Sequence, residues 1–362
     1  MALAATTLLL PSLSAAQYAL KTDLSYKNFF SNFNLFSDAD PTHGFVQYQN
    51  YDEAIKNQYV GYLNESIFLG VDYKTKDPNG RASIRAESTV TFDKGLLVAD
   101  IAHMPSNECG TWPALWLLGT GVEWPNNGEI DILEGVNDYT RNSVTLHTNS
   151  GCMVNNSTMS NSTGQSGTTQ QSAFDGWMST ANCDVAATDQ AKNVGCSIMA
   201  PAEEAGPGKY LPTYGAEFNA AGGGVYALEW TDQSIQAWFF PRNSTEFASA
   251  TSANPDPSQW GTPLAKFQGS CNIEDHFKNM TVQINVSFCG DWAGSDVEWN
   301  KSCAKKTGVA KCEDYVRDHP EAFESVYWEI KGLKWFEKTG STQKRDLAGH
   351  AVSQLKNRAF RW

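Results

Sequence analysis

Apolar and polar residues alternate along most of this chain in short runs, and long apolar stripes at helical spacing are scarce. Because successive side chains of a strand point to opposite faces, such runs predict strands that bury one face. Turn residues separate the runs, and repeated short strands with turns indicate a β-sandwich of two sheets. The predicted strands lie within residues 66–75, 82–92, 95–105, 114–119, 129–135, 143–148, 224–240, 280–288 and 325–338.

Segments outside the single strands have patterns of their own. Residues 224–240 are predicted to form one hairpin that turns at Asp232-Gln233-Ser234, and residues 312–325 favour a short helix. Residues 155–172 consist mostly of Asn, Ser, Thr, Gln and Gly, which predicts a surface loop. The basic tail at 340–362 has few apolar residues and is predicted to be disordered. One all-β domain is therefore expected over residues 17–339.

Three carboxylates crowd the predicted strand at residues 129–135. Glu129 and Asp131 share a face, whereas Glu134 falls on the opposite face of a regular strand. A β-bulge adds one residue to a strand, so one bulge after Asp131 would return Glu134 to the shared face. The backbone separation of the two glutamates is then roughly 13 Å, and side chains that lean toward each other leave about 5 Å between the carboxylates. The irregular spacing therefore predicts a bulge and a close carboxylate pair.

Carboxylates about 5 to 5.5 Å apart are the arrangement that retaining glycoside hydrolysis uses. One must be ionised to attack the anomeric carbon and the other must carry a proton for the leaving oxygen; close like charges separate their pKa values. The alternative is an acidic edge strand or a calcium loop, although the EF-hand pattern is absent. Aromatic faces stack on sugar rings, and three tryptophans precede the cluster, namely Trp112, Trp116 and Trp124.

The segment GTWPALWLLG…WPNNGEIDILEGVN resembles glycoside hydrolase family 16, in the form E-x-D-x-x-E. The segments GLLVADIAHMP, FNAAGGGVYALEWT, WFFPR and CGDWAG are similar to the secreted fungal endo-1,3(4)-β-glucanases of that family, which are laminarinase-like. The resemblance covers roughly residues 25–338. It implies a concanavalin-like β-jelly-roll sandwich of two antiparallel sheets, with a substrate cleft on the concave face.

The resemblance also implies roles for individual residues. Glu129 matches the nucleophile, Glu134 the general acid/base and Asp131 the carboxylate that supports them. Three tryptophans match aromatic residues that line the glucan cleft of similar enzymes, and these are Trp116, Trp124 and Trp292.

Three further polar residues are candidates for the cleft. His147 is expected on the strand after the acidic one, as a hydrogen-bonding residue near the catalytic centre, with a buried structural histidine as the alternative. Arg85 is expected to bind sugar hydroxyls, with a surface strand residue as the alternative. Glu229 is an isolated acid that is expected in or beside the cleft, without an assigned role.

The residues and the resemblance together predict an endo-acting hydrolase of β-1,3- or mixed β-1,3/1,4-glucan with a retaining double-displacement mechanism. A cell-wall glucan transglycosylase with the same site chemistry is the first alternative. A carbohydrate-binding lectin is less favoured, because it would not need both Glu129 and Glu134. No cofactor is expected to be required and no catalytic metal is expected, while a structural calcium ion on the convex side is left open. The chain is expected to act on β-glucan as a monomer.

The N-terminal segment indicates a secreted protein, and the charge excludes one class of partner. The net charge of −13 and the pI of about 4.9 argue against a nucleic-acid partner, which needs a basic face. Residues 1–16 carry no charge and end in small residues, as a signal peptide does. No other stretch is apolar enough to span a membrane, so no membrane partner is expected. Eight N-x-S/T sequons favour a glycosylated chain, and they begin at Asn64, Asn155, Asn156, Asn161, Asn243, Asn279, Asn285 and Asn300.

The cysteine count supports the same location. Eight cysteines are an even number, which fits disulfides in an oxidising compartment. No C-x-x-C pair is present, so a zinc site is not expected, and eight cysteines allow 105 connectivities. Close spacing makes Cys183 with Cys196, and Cys303 with Cys312, the candidate local pairs.

Overall fold

Two large antiparallel β-sheets dominate the computed structural model, which describes residues 18–155, 173–203 and 210–339. The predicted signal peptide, the predicted tail and most of the predicted loop at 155–172 lie outside the described residues. The strands of these ranges are β1 (Tyr18–Asp23), β2 (Phe33–Leu35), β3 (Val46–Tyr48), β4 (Val60–Leu63), β5 (Ser66–Gly70), β6 (Arg81–Ser83), β7 (Arg85–Ser88), β8 (Gly95–His103), β9 (Thr111–Gly119), β10 (Glu129–Glu134), β11 (Ser143–His147), β12 (Cys152–Val154), β13 (Trp177–Thr180), β14 (Cys196–Met199), β15 (Gly224–Trp230), β16 (Ile235–Pro241), β17 (Ala265–Phe267), β18 (Gly269–Cys271), β19 (Met280–Phe288) and β20 (Tyr327–Lys338).

Short helices connect the strands. They are α1 (Tyr26–Asn32), α2 (Tyr51–Lys56), α3 (Gly215–Ala220), α4 (Thr245–Ala250), α5 (Ile273–His276), α6 (Gly290–Ala293), α7 (Asp296–Trp299), α8 (Cys303–Thr307) and α9 (Cys312–Asp318), with 3₁₀ helices at Pro257–Gln259 and Pro320–Phe323. The helix predicted within residues 312–325 is confirmed as α9. None of the helices in the described ranges is long and apolar enough to cross a membrane.

Each large sheet has eight strands, and the predicted two-sheet sandwich is confirmed. Sheet A has the order β17-β16-β15-β8-β20-β5-β4, and β1 also pairs with β20. Sheet B has the order β13-β14-β11-β10-β9-β19-β7-β2. β15 and β16 form the predicted hairpin. Two small sheets, β12 with β18 and β3 with β6, complete the described strands.

The main core fills the space between the two sheets, as the alternating pattern predicts. Leu97 of β8 in sheet A and Ile130 of β10 in sheet B belong to the same buried apolar cluster. A second cluster covers the outer face of sheet A beneath α4 and includes Val98, Ala227 and Trp238. Part of the outer face of sheet A is therefore apolar and covered, whereas the three carboxylates of β10 belong to sheet B.

The prediction that Glu229 lies in or beside the cleft is wrong. Glu229 alternates along β15 with residues of the main core and shares a face with Ala227, on the outer side of sheet A. Its carboxylate accepts hydrogen bonds from the Tyr18 hydroxyl at 2.8 Å and from Gln236 Nε2 at 3.1 Å. These bonds satisfy a buried acid within the fold, and sequence alternation alone could not tell which sheet it belongs to.

β10 contains the predicted bulge. Against β11, Asp131 pairs with Thr145 and Glu134 pairs with Ser143, so β10 has one residue more than its partner over this interval. The pairing with β9 shifts at the same place. Residues 132–133 both enter the core, and Glu134 returns to the face of Asp131.

Asn142 satisfies backbone groups that the bulge removes from the regular ladder. Its Nδ2 donates to the carbonyl oxygen of Ile132 at 2.8 Å, and its Oδ1 accepts from the N–H of Glu134 at 2.8 Å. The side chain is fully buried, and the Asn142 N–H donates to Thr213 Oγ1 at 3.1 Å. A buried backbone group without a partner costs about 1 to 3 kcal/mol, so one side chain removes two such penalties.

Four disulfides use all eight cysteines. The predicted Cys183–Cys196 bond is confirmed. The predicted Cys303–Cys312 bond is wrong, because these two residues begin separate helices, α8 and α9, and each bonds to the end of a strand of sheet B. The complete set is Cys109–Cys303, Cys152–Cys271, Cys183–Cys196 and Cys289–Cys312.

We expect Asn142→Ala to lower the free energy of unfolding by about 2 to 4 kcal/mol, since it leaves two buried backbone groups without partners. Urea denaturation followed by tryptophan fluorescence measures the change. Thr140→Ala is the matched control, because Thr140 is exposed in the same connection between β10 and β11. Equal stability of the two variants would show that Asn142 does not hold the bulge.

Candidate active site

The three carboxylates of β10 lie on the outer face of sheet B. Asp131 and Glu134 are buried, and Glu129 is half-buried at the start of the strand. The pairing with β9 places Trp116 beside Asp131, and the pairing with β11 places His147 beside Glu129. Direct partners across antiparallel strands share a face, so the structure brings these five predicted site residues together.

An indole N–H fixes the carboxylate of Glu129. Trp124, in the connection between β9 and β10, donates from Nε1 to Glu129 Oε2 at 2.8 Å. The Trp124 side chain is 41% exposed, and its ring centroid lies 6.4 Å from that of His147. An exposed indole of this kind can contact a sugar ring while its N–H holds the carboxylate.

A second indole N–H fixes Glu134. Trp112 donates from Nε1 to Glu134 Oε1 at 2.8 Å. Its ring meets that of Trp292 edge-on, with centroids 5.6 Å apart, and Trp292 meets Tyr139 at 6.0 Å. Trp292 therefore belongs to an aromatic group next to Glu134, in which Trp112 contacts the acid directly, and the lining of the glucan cleft by Trp116, Trp124 and Trp292 stays a prediction.

Asp131 lies between the two glutamates along β10, and His147 of β11 lies close to it. His147 Nε2 is 3.3 Å from Asp131 Oδ2. That Oδ2 and His147 Nδ1 are both buried and have no hydrogen-bond partner in the described part of the chain. Ligand atoms of Glu129, Asp131 and His147 lie within 4.8 Å of one another and could contact a cation. A cation there would bind the same carboxylates that the reaction needs. The expectation that no metal or cofactor is required stays a prediction.

Burial raises the pKa of all three carboxyls to about 8. The charge of Asp131 raises the pKa of Glu129 and of Glu134 further, whereas the indole N–H groups and His147 act in the opposite direction. Since the first ionised carboxylate disfavours ionisation of the next, the site holds protonated and ionised carboxyls together near neutral pH. A proton donor and an ionised nucleophile can therefore coexist here.

Arg85 lies on the same face, farther along sheet B. Its guanidinium carbon is 4.6 Å from the Phe36 ring centre and 5.0 Å from that of Trp116, and Nη2 lies 2.9 Å from Glu87 Oε1. Trp116 donates from Nε1 to Asn285 Oδ1 at 2.7 Å. Arg85 is buried, so it is not a surface strand residue. It lies over the Trp116 ring, and its binding to sugar hydroxyls stays a prediction.

β19 adds a row of buried polar side chains to this face. The residues between them, such as Ile284, point into the main core. Polar atoms along a sheet, with indoles beside them, suit a ligand that has both hydroxyl groups and apolar C–H surfaces. The polar row consists of Thr281, Gln283, Asn285 and Ser287.

Sequence reasoning missed three residues that hold the site. Trp112 was visible as one of three tryptophans, but nothing in its spacing marked it as the partner of Glu134. Asn285 lies in an alternating strand whose outer face could equally have faced solvent. Asn142 had one indirect signal, because a bulged strand needs a side chain to satisfy its free backbone groups.

Comparisons with known proteins identify the family. The model described as XgeA-like, catalytic GH16 domain matches residues 33–336. A curated protein named endo-1,3(4)-beta-glucanase, from Arthroderma benhamiae, is 40% identical over 341 residues, which are 94% of this chain and 69% of that protein. The chain spans about half the length of several other curated relatives.

Two solved structures support the same relationship. A crystal structure described as an elongating GH family 16 beta-1,3-glucosyltransferase is 39% identical, with a TM-score of 0.74, over 88% of this chain and 99% of that chain. Laminarinase 16A from Phanerochaete chrysosporium, solved with 6-O-glucosyl-laminaritriose in donor and acceptor sites, is 36% identical, with a TM-score of 0.75 and the same coverage. These similarities confirm the expected jelly-roll fold, and the chain belongs to glycoside hydrolase family 16, as an XgeA-like catalytic domain.

Proposed function

We propose that this chain cleaves β-1,3- or mixed β-1,3/1,4-glucan internally, as a retaining glycoside hydrolase. The single observation that carries the proposal is the bulge, which puts Glu129 and Glu134 on one face of β10 with an indole N–H on each. Family membership and relatives named endo-1,3(4)-beta-glucanases support the reaction and the substrate class. Laminarinase 16A, a neighbour with a bound β-glucan, supports the polymer as ligand.

In the first step, the ionised Glu129 attacks the anomeric carbon while Glu134 donates its proton to the leaving oxygen. Burial, followed by the charge of Asp131, raises the pKa of Glu129 and of Glu134 alike to about 8, while an indole N–H and His147 lower each of them. The division of roles, with Glu129 as the ionised nucleophile and Glu134 as the acid, therefore rests on their match to the family motif E-x-D-x-x-E.

In the second step, a water molecule attacks the glycosyl-enzyme and Glu134 removes its proton. The departure of Glu129 from the sugar restores a negative charge between Asp131 and His147. The buried Oδ2 of Asp131, which is 3.3 Å from His147 Nε2, can accept a proton or a hydrogen bond during this change, so Asp131 serves as a supporting carboxylate. A lectin would have no use for this paired arrangement, and hydrolysis is the better interpretation.

Transglycosylation is the second candidate, and one observation favours it. The relative with 39% identity over nearly its whole chain is described as an elongating β-1,3-glucosyltransferase. Both reactions share the covalent intermediate and differ only in whether water or a sugar hydroxyl attacks it. Hydrolysis remains the first choice because the curated relatives are named glucanases.

Secretion of a monomeric, glycosylated chain belongs to the same proposal. The pairing of all eight cysteines supports an oxidising compartment. Asn285 is not available for a glycan, because its buried amide bonds Trp116 and the Tyr48 hydroxyl. Within the described ranges, the exposed sequon asparagines that could carry glycans are Asn64, Asn155, Asn243, Asn279 and Asn300.

We expect Glu129→Ala to abolish cleavage of both laminarin and an activated aryl glycoside, since it removes the nucleophile. Glu134→Ala should lose about 10²- to 10⁴-fold on laminarin, yet keep the first step on the activated substrate, which needs no proton. Stopped-flow release of the aryl group measures that step. In the wild type, the rate should fall at alkaline pH as Glu134, with its raised pKa, loses its proton. This fall should be absent when the first step of Glu134→Ala is measured on the activated substrate. Equal losses on the two substrates for both variants would overturn the assignment.

We expect the first products from laminarin to be β-anomers. The predicted carboxylate separation of about 5 to 5.5 Å leaves no room for a water between Glu129 and the sugar, so the configuration is retained through two displacements. Proton NMR recorded before mutarotation reads the anomer directly. Initial release of the α-anomer would contradict both the close pair and the covalent intermediate.

We expect hydrolysis to outweigh transfer when dilute laminari-oligosaccharides are the substrate. New reducing ends should then equal the bonds cleaved, because water is the acceptor. Chromatography of the products, combined with a reducing-end assay, separates the two reactions. Oligosaccharides longer than the substrate, formed without a net gain of reducing ends, would instead identify the chain as a transglycosylase.

A further inference from the structure

Trp177 is the most exposed large aromatic residue in the described part of the chain, with 72% of its surface accessible. It begins β13, the edge strand of sheet B. Met178 packs against the main core, so the alternation of the strand points the Trp177 indole to the outer face. Single exposed apolar residues are common on protein surfaces, so exposure alone does not define a site. The position of Trp177 within the sheet is more informative.

The register of sheet B places Trp177 in one line with Glu134. Glu134 pairs with Ser143, Ser143 with Met199, and Met199 with Trp177. Direct partners across antiparallel strands share a face, so all four side chains lie on the face that carries the carboxylates. Three strand spacings put Trp177 about 14 Å from Glu134, measured across the strands.

The floor between Glu134 and Trp177 is rich in hydroxyl groups. Ser143 Oγ lies 2.6 Å from Ser197 Oγ, which lies 3.0 Å from Thr145 Oγ1. Ser197 and Met199 are half-buried and reach the outer face, whereas Ile198 between them belongs to the core. A shallow polar floor therefore runs from the carboxylates to an exposed indole at the sheet edge.

We propose that Trp177 is a stacking platform for a glucosyl unit several sugars away from the scissile bond, at the β13 end of the cleft. The inference rests on the proposed glucan hydrolase function and adds a determinant of substrate length. An indole face binds the C–H surface of a sugar ring without directional hydrogen bonds, so its distance from the bond that breaks is no obstacle. Only a chain long enough to reach β13 gains from this contact.

The test compares Trp177→Ala, Trp177→Phe and wild type on laminarin and on laminari-oligosaccharides of increasing length. We expect Trp177→Ala to lower kcat/KM about tenfold on long chains, mainly through KM, by analogy with aromatic stacking on nucleic-acid bases. The shortest substrate that is cleaved should be unaffected, and Trp177→Phe should keep most of the activity. Tyr73→Ala is the control, because Tyr73 is an exposed aromatic residue outside sheet B.

The cleavage pattern of an end-labelled oligosaccharide separates a lost platform from a damaged fold. Loss of a remote contact should move the preferred bond, whereas damage lowers cleavage at every bond alike. For Trp177→Ala, an unchanged kcat/KM on long chains, or a uniform loss on all lengths, would overturn the proposed stacking platform. The proposed function would be unaffected by that result as long as the wild type is active. Inactivity of the wild type on every β-glucan would overturn the proposed function itself.

Discussion

The two hydrogen bonds from Asn142 to β10 allow a regular sheet to contain an irregular strand. Without them, the bulge would leave a buried N–H and a buried C=O unpaired, and the strand would gain stability by returning to normal pairing. Normal pairing would turn the Glu134 carboxylate into the apolar core, where an ionised acid is very costly. The geometry of the carboxylates thus depends on the side-chain amide of Asn142, which bonds backbone groups of β10 and not the carboxylates themselves.

Around that strand, the rest of sheet B supplies rigid donors and a polar surface. Trp112 and Trp124 hold the outer carboxylates from opposite ends of β10, and Asp131 stays between them beside His147. These contacts fix the positions of the carboxylates. Burial raises their pKa values and so limits how many of them are ionised together. Sheet A contributes the other wall of the core, and α4 covers an apolar cluster on part of its outer face.

Much of this arrangement could be predicted from the sequence. Period-two alternation predicted most of the long strands, although short ones such as β13 and β14 were not predicted, and the one-residue misfit between Asp131 and Glu134 predicted the bulge. The assignments that failed were long-range ones. Glu229 alternates correctly within its own strand, yet its sheet is set by the order of strands, which local pattern does not contain. Cys303 and Cys312 are close in sequence, but the helices that they begin direct them to different strand ends.

Two of the disulfides give the site a dependence on the oxidation of the chain. Cys109 and Cys289 lie at the ends of β9 and β19, and their bonds to Cys303 and Cys312 hold the segment that contains Trp292 beside these strands. In a newly made chain that has formed sheet B but not these bonds, the three carboxylates would already share one face. The aromatic residues next to Glu134 would not yet be held in place. The catalytic centre would then be completed by disulfide formation, after the strands of sheet B have paired.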